Sequence, residues 1–382
     1  MAIPGRAEVV IVGGGVMGAS IAFHLAEAGV RDVLLIEKDA LASGSTSRAA
    51  GGVRAQFSDP LNIAIALRSL EAFDRFAERP GGEIDLHRVG YLFLLDRQSD
   101  VEVFERSVAL QNEHGVPSRL IEPHEAARLS PLAGLDGVLA ATFCPIDGHA
   151  SPEAVVQGYA AGARAHGATV VTGCEATRIE LADAEIRAVE TNQGRVETSV
   201  VVCAAGVWSP ALAATAGVEL PVVAYRREVG FTGPMQVPGR PPLTIDFSTG
   251  FYFHGEGEGL LFGMADPGQP PGLDSARDTD WLEKVLTVAE RRAPALCDAG
   301  IAGGWSGFYE VTPDHNALIG ESTEVSRLLY ATGFSGHGFL QGPAVGEIVR
   351  DLILERAPFV DIAALSADRF ARHRLRPEHN VI

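Results

Sequence analysis

Three glycines, Gly13-x-Gly15-x-x-Gly18, sit between an apolar run and a helical pattern, and this arrangement constrains the fold more than anything else in the chain. Val9-Val10-Ile11-Val12 is apolar throughout, as a parallel strand buried on both faces must be. Met17, Ile21, Leu25 and Ala28 then recur at helical spacing, and Gly29 follows, where a left-handed C-cap favours glycine. Gly13 permits the tight turn, Gly15 lets a pyrophosphate approach the backbone, and Gly18 allows close packing of helix on strand. The helix N-terminus offers unpaired N–H groups to phosphate. Val33-Leu34-Leu35-Ile36 reads as the next strand. Glu37 follows it, about 20 residues beyond the loop, where a carboxylate accepts ribose hydroxyl hydrogen bonds. The constellation predicts a Rossmann-type α/β unit that binds a dinucleotide.

A chain of 382 residues is too long for one simple core and implies about two domains. A second helix is expected from about Pro60 to Ala77, ended by Pro80-Gly81-Gly82. Further on, Ser151 to His166 reads as a helix, and Ala168 to Val171 and Val200 to Cys203 as strands. Other segments differ in character. Tyr91 to Leu95 is a strand, and Thr249 to Met264 resembles a hairpin turning between Gly255 and Gly259. The fold class that follows is α/β, with a Rossmann-type cofactor domain interleaved with a β-rich α+β substrate domain. The cofactor domain is discontinuous over 1–82, 145–218 and 302–382. The substrate domain takes 83–144 and 219–301.

Net charge is −18, from 31 basic and 49 acidic residues. Such a surface repels nucleic acid and anionic lipid, whose binding depends on clustered Lys and Arg. The locally basic Arg369 to Arg376 stretch is too short to be more than a solvated end. No run of 18 apolar residues predicts a membrane span. Residues Met1 to Glu8 carry no signal-peptide pattern. Cys144, Cys174, Cys203 and Cys297 form no CxxC pairs, so neither a disulfide framework nor a metal site is expected, and a reducing cytoplasm is.

The glycine loop alone does not choose between FAD and NAD. The loop Ser43-Gly44-Ser45-Thr46-Ser47-Arg48, rich in hydroxyls, favours the more extended FAD, because it can wrap a long cofactor and donate hydrogen bonds to it. At this point the chain resembles the D-amino-acid-oxidase-like flavoprotein family, nearest the β subunits of sarcosine oxidase and related proline dehydrogenases. The likeness rests on VVIVGGGVMGASIAFHLA with LLIEK, SGSTSRAAGGVRAQFS, VVCAAGVWS, and YEVTPDHNALIG followed by ATGFSGHGFLQGPAVGEIV. It implies FAD contacts from Gly13, Gly15, Val16, Met17, Gly18, Glu37, Lys38, Ser45, Thr46, Arg48, Gly51 and Gly52. Further contacts are implied from Ala176, Gly206, Trp208, Gly333, Gly336, His337, Gly338, Phe339 and Leu340. Independently, Gly333 to Gly342 precedes a helical run, Ala344 to Leu354, whose N-terminus would favour negative charge on a reduced flavin.

Flavin would supply removal of a hydride equivalent from a carbon next to nitrogen, which implies oxidation of a small amine or amino acid to an imine. Arg54 is the expected carboxylate anchor, since a guanidinium grips a carboxylate in bidentate fashion. His337, between two glycines, is expected at the flavin or substrate. Tyr252 and His254 would roof the substrate, and Tyr309 with Glu310 would lie on the substrate side. The resemblance also shows departures. Gly307 stands where single-chain relatives carry a flavin-linking cysteine, and Pro152 where β subunits carry a linking histidine, so FAD is expected to be noncovalent. Leu261 and Leu340 replace lysines that activate oxygen and bind carboxylate, and an arginine near Trp305 is absent. The electron acceptor is therefore oxygen or another acceptor. Two alternatives stay open: a 2-hydroxy-acid dehydrogenase with His337 or His254 as base, and a partner-dependent flavoprotein subunit without independent activity; a hetero- or homo-oligomer is compatible with each.

Overall fold

The computed structural model describes residues 3–380. Its strands divide between two main sheets. One has six strands, in the order 318–321, 328–332, 201–203, 9–12, 33–36 and 169–171. All its pairings are parallel except that of Leu318–Glu321 with Leu328–Thr332. Val9–Val12 lies at the centre with all four residues buried, which is why that run carries no polar alternation. The helices Val16–Glu27, Pro152–Ala165 and Gly338–Ile353 share a core with it. This is the Rossmann-type arrangement that the glycine loop predicts.

The other sheet has eight strands, in the order 301–311, 223–232, 259–264, 251–256, 243–246, 91–95, 140–144 and 119–121. It is antiparallel except where Leu243–Asp246 runs alongside Tyr91–Leu95. Phe251–Glu256 and Gly259–Met264 form the expected hairpin, with a turn tighter than the Gly255 to Gly259 reading. Ile301–Val311 pairs along almost its whole length with Val223–Thr232. The eight-stranded sheet thus extends past residue 301, into the 302–382 stretch expected in the cofactor domain. A short ribbon, Gly52–Val53 against Gly148–His149, joins the hydroxyl-rich loop to the end of the large sheet.

Two helices differ from expectation. Pro60–Asp74 stops earlier than Ala77. The C-terminal helix starts at Gly338 rather than Ala344 and contains Pro343. Its glycines explain the early start. Gly338, Gly342 and Gly346 are four residues apart on one face; β-carbons at Gly342 and Gly346 would collide with Val16 and Ser20 of the first helix, while one at Gly338 would make only ordinary contact with Met17. Close approach of the two helices requires that bare stripe, and the contact outweighs the low helix propensity of glycine. The C-terminal tail is tied down. Glu378 Oε1 accepts from Ser58 N at 2.9 Å and Ser58 Oγ at 2.6 Å, and Arg369 grips Asp314 in bidentate fashion at 2.8 and 2.9 Å.

Candidate active site

A cavity of about 630 Å³ draws its lining from both sheets. At one end lie Gly13, Gly15, Val16 and Met17, where the first helix begins and its first-turn N–H groups have no acceptor within the helix. Gly13 has φ +112°, and a β-carbon there would strike the carbonyl of Ala204. Glu37 Oε2 accepts from Gly14 N at 2.6 Å, and Oε1 from Asp39 N at 2.9 Å, so this carboxylate fixes the loop as well as facing the cavity. Thr46 Oγ1 accepts from Val16 N at 3.2 Å and bolts the hydroxyl-rich loop to the helix start. Lys38 Nζ lies 3.7 Å from the centre of the Trp208 ring, a cation–π contact. Arg48 donates to Ser306 O at 2.6 Å, and its own carbonyl accepts from Trp305 Nε1 at 3.0 Å, which ties the loop to the large sheet.

The expected cofactor residues Ser45, Ala176, Gly206, Gly336, Gly338 and Phe339 line the same cavity. Gly18, Gly51, Gly52, Gly333, His337 and Leu340 do not. Gly18 is packed on the Gly13 carbonyl, and a β-carbon at Gly52 would strike the Tyr91 hydroxyl, so both serve packing. Gly336 has φ +94° and lies flat on the Tyr309 ring.

Of the five residues expected to act on substrate, Tyr309 alone lines the cavity. Arg54 is corrected from a free anchor to a buried strut. Its terminal nitrogens donate to Gln56 O and, at 2.6 Å, to Asn380 O. Burial lowers its pKa, and it still sets a positive charge beside Tyr309 and His337. His337 occupies the N-cap of the C-terminal helix, edge-on to Phe57, with its pKa driven well below the usual histidine range by burial. His254 is buried and not among the residues lining the cavity, with Nδ1 against Gly255 O at 2.8 Å and Nε2 against Ala50 O at 3.0 Å. Tyr252 is half-buried and is not among the residues lining the cavity, and burial raises its pKa far above the usual value.

Sequence reasoning missed Arg227. It stands mid-strand in Val223–Thr232, lines the cavity, and lies 5.1 Å from the centre of the Tyr309 ring. One nitrogen donates to Arg226 O at 2.9 Å, while Nε is buried without a partner. Among the described residues it makes no ion pair, and burial lowers its pKa. In Tyr-Arg-Arg-Glu the alternation of a strand aims one arginine each way: Arg226 reaches Glu228 at 3.3 Å, leaving Arg227 on the cavity face. That alternation is the signal that would have found it. Glu310 is also on the lining. Burial raises its pKa against the hydrogen bond it accepts from Thr332 Oγ1 at 2.8 Å.

Asp147 braces the segment that follows Arg54, accepting from Ala55 N at 2.8 Å and Gln56 Nε2 at 3.1 Å. Burial pushes its pKa up from 3.8 to about 6. The folded state therefore binds the proton more tightly than the unfolded chain. Stability from this group is full below pH 3.8 and is lost as pH rises to about 6, by roughly 3 kcal/mol. Denaturant titrations of wild type and Asp147→Asn should show that difference between about pH 4 and pH 7 in wild type only.

A cavity of this size, with helix-terminal amides and hydroxyls at one end and aromatic and apolar walls at the other, fits an extended dinucleotide that carries a ring system. The fold and site together define a flavin-dependent oxidoreductase. The chain belongs to the DAO family of FAD-dependent oxidoreductases, whose pattern matches residues 8–352. It is similar to mouse dimethylglycine dehydrogenase, with 31% identity over 96% of this chain and 44% of that protein. The chain thus spans less than half the length of that relative. It is 32% identical to the bovine FAD-dependent oxidoreductase domain-containing protein 1, over 92% of this chain and 82% of the relative. Among solved structures, the L-proline dehydrogenase of P. horikoshii superposes with a TM-score of 0.93, with 34% identity over 98% of this chain and 100% of that one. FAD is the cofactor of the family, and the residues at both ends of the cavity suit it. When bound, it supplies acceptance of a hydride equivalent.

Proposed function

We propose that the chain oxidises a small amino acid carrying a secondary, N-alkylated or cyclic amine, at its C–N bond, to an imine. The observation that carries this reading is Arg227, a half-buried guanidinium on the cofactor cavity that makes no ion pair among the described residues. An arginine in that state awaits a carboxylate, and a bidentate contact would fix the substrate's orientation. The Tyr309 ring beside it bounds the space for the amine. The Tyr309 and Tyr252 hydroxyls stay protonated, because burial raises both, and so remain hydrogen-bond donors. Arg227, with Arg54 behind the lining, puts positive charge on the Tyr309 side of the cavity, which disfavours an ammonium there and favours the neutral substrate nitrogen, the form that can release a hydride. The kinds of substrate named for the relatives, dimethylglycine and proline, support the class. Anaerobic titration with N-methyl and cyclic amino acids tests it: the flavin band should bleach.

The 2-hydroxy-acid reading needs a base with a pKa near neutrality at the substrate. His337 and His254 lie off the cavity lining and burial lowers both, which favours the amine. The attachment of FAD is noncovalent in this reading. At Gly307 a β-carbon would already meet Arg48 Cβ at 2.7 Å, leaving no room for a linking side chain. Heat denaturation and filtration should recover all flavin free of protein, and the intact chain should show no added mass. Electrons pass to oxygen or to a partner protein, and the chain works as a homo-oligomer or beside a second subunit. The two units, cofactor and substrate, divide along the two sheets. No helix among the described residues is long and apolar enough to cross a membrane, and four free cysteines suit a cytoplasmic setting.

A further inference from the structure

Away from the flavin cavity, three imidazoles lie in a row. His87 and His149 have ring centres 5.0 Å apart, and His149 and His254 4.4 Å apart. Glu256 stands two residues beyond His254 on the same strand, so both side chains share a face. Ligand atoms of His149, His254 and Glu256 all lie within 4.8 Å of one another. Donors bonded to one cation at about 2.0–2.2 Å lie at most about 4.4 Å apart, so the exposed Glu256 carboxylate has to close in slightly to complete the set.

His254 itself points to a missing positive charge. Both of its ring nitrogens face carbonyl oxygens, Gly255 O at 2.8 Å and Ala50 O at 3.0 Å. A neutral imidazole carries one N–H and can satisfy one of them. With Nε2–H donating to Ala50 O, the lone pair of Nδ1 is directed at the lone pairs of Gly255 O. A second ring proton would relieve that contact only by burying an imidazolium against the face of His149, at a residue 1% exposed. A cation that bridges Nδ1 and Gly255 O from the side, with a small widening of their 2.8 Å gap, relieves it.

We propose that His149, His254 and Glu256, with the Gly255 carbonyl, bind a divalent d-block cation of the zinc type. Two imidazoles and one carboxylate suit zinc, nickel or copper better than calcium or magnesium, which prefer oxygen. The Ala50 carbonyl serves as the outer partner that orients His254. The ion would clip the hairpin Phe251–Glu256 to the ribbon Gly148–His149, and through Ala50 to the loop that wraps the flavin. The site is independent of the amine reading and of the flavin chemistry.

The test uses the FAD-loaded chain, stripped with chelator and titrated with Zn²⁺ by calorimetry and with Co²⁺ by visible absorption. One ion per chain should bind, with Co²⁺ bands of nitrogen–oxygen coordination. His149→Ala and the exposed Glu256→Gln should each weaken binding roughly tenfold or more, with the flavin spectrum showing that both remain folded. Glu258→Gln, the next exposed carboxylate of the hairpin, should leave binding unchanged. Equal binding in wild type, His149→Ala and Glu256→Gln, or loss of affinity in Glu258→Gln to the same degree, would overturn the proposal, as would no binding at all.

Discussion

Arg227→Ala should lower kcat/KM for a carboxylate-bearing amine by roughly 10²–10³-fold while the flavin spectrum stays that of wild type. Removing one partner of a desolvated charge pair costs about 2–5 kcal/mol, and each 1.36 kcal/mol is a factor of ten. The guanidinium is well placed to have such an effect, since it lines the cavity with Nε unpartnered and makes no ion pair among the described residues. Arg227→Lys should recover only a small part, because an ammonium cannot make the two parallel hydrogen bonds of the fork. A matched amine without a carboxylate separates this role from a structural one. Wild type should turn it over poorly, and the alanine variant no worse. If the variant loses activity equally on both substrates, Arg227 supports the fold and does not grip the substrate. Arg54→Ala should behave differently. Its nitrogens hold Gln56 and Asn380 carbonyls, so the change should appear first as lost thermal stability.

The second large effect is expected at the glycine loop. Gly13→Ala should yield chain with little or no flavin and a strong tendency to aggregate. The backbone at φ +112° costs a side-chain-bearing residue about 1–3 kcal/mol, and the collision with the Ala204 carbonyl adds overpacking of similar size. That carbonyl cannot yield cheaply, because the strands there are locked by Gly13 N to Ile36 O and Ala204 N to Val12 O, both at 2.9 Å. Gly29→Ala provides the comparison. It too has positive φ, +88°, but nothing lies within 4 Å of its β-carbon position. It should keep its flavin and lose only modest stability. Flavin-to-protein absorbance ratios after gel filtration would distinguish the two variants.

Much of the cofactor side was legible in the chain, because a dinucleotide is gripped by backbone and the backbone's needs leave marks in local sequence. Glycines at 13, 15 and 18, an acid at 37 and hydroxyls at 45 and 46 lie within one continuous stretch. The substrate side was not legible in the same way. Arg54 and Arg227 look alike as letters, and only tertiary packing decides which is spent on the carbonyls of Gln56 and Asn380 and which faces the cavity. Arg226 and Arg227 differ only in which face of a strand they occupy, and that depends on register against Ile301–Val311. The helix from Gly338 was read as starting late because its glycines look like loop residues. Their purpose appears only when the first helix is laid against them. His149 and His254 are far apart in the chain, and no spacing rule connects them.

The measurement that bears most directly on the central claim is anaerobic titration of the purified, FAD-containing chain with a panel of N-methyl amino acids, cyclic amino acids and 2-hydroxy acids. At least one secondary amino acid should bleach the oxidised flavin band, Arg227→Ala should lose that response, and hydroxy acids should leave the band unchanged. Bleaching by a hydroxy acid while every amine leaves the band unchanged would contradict it.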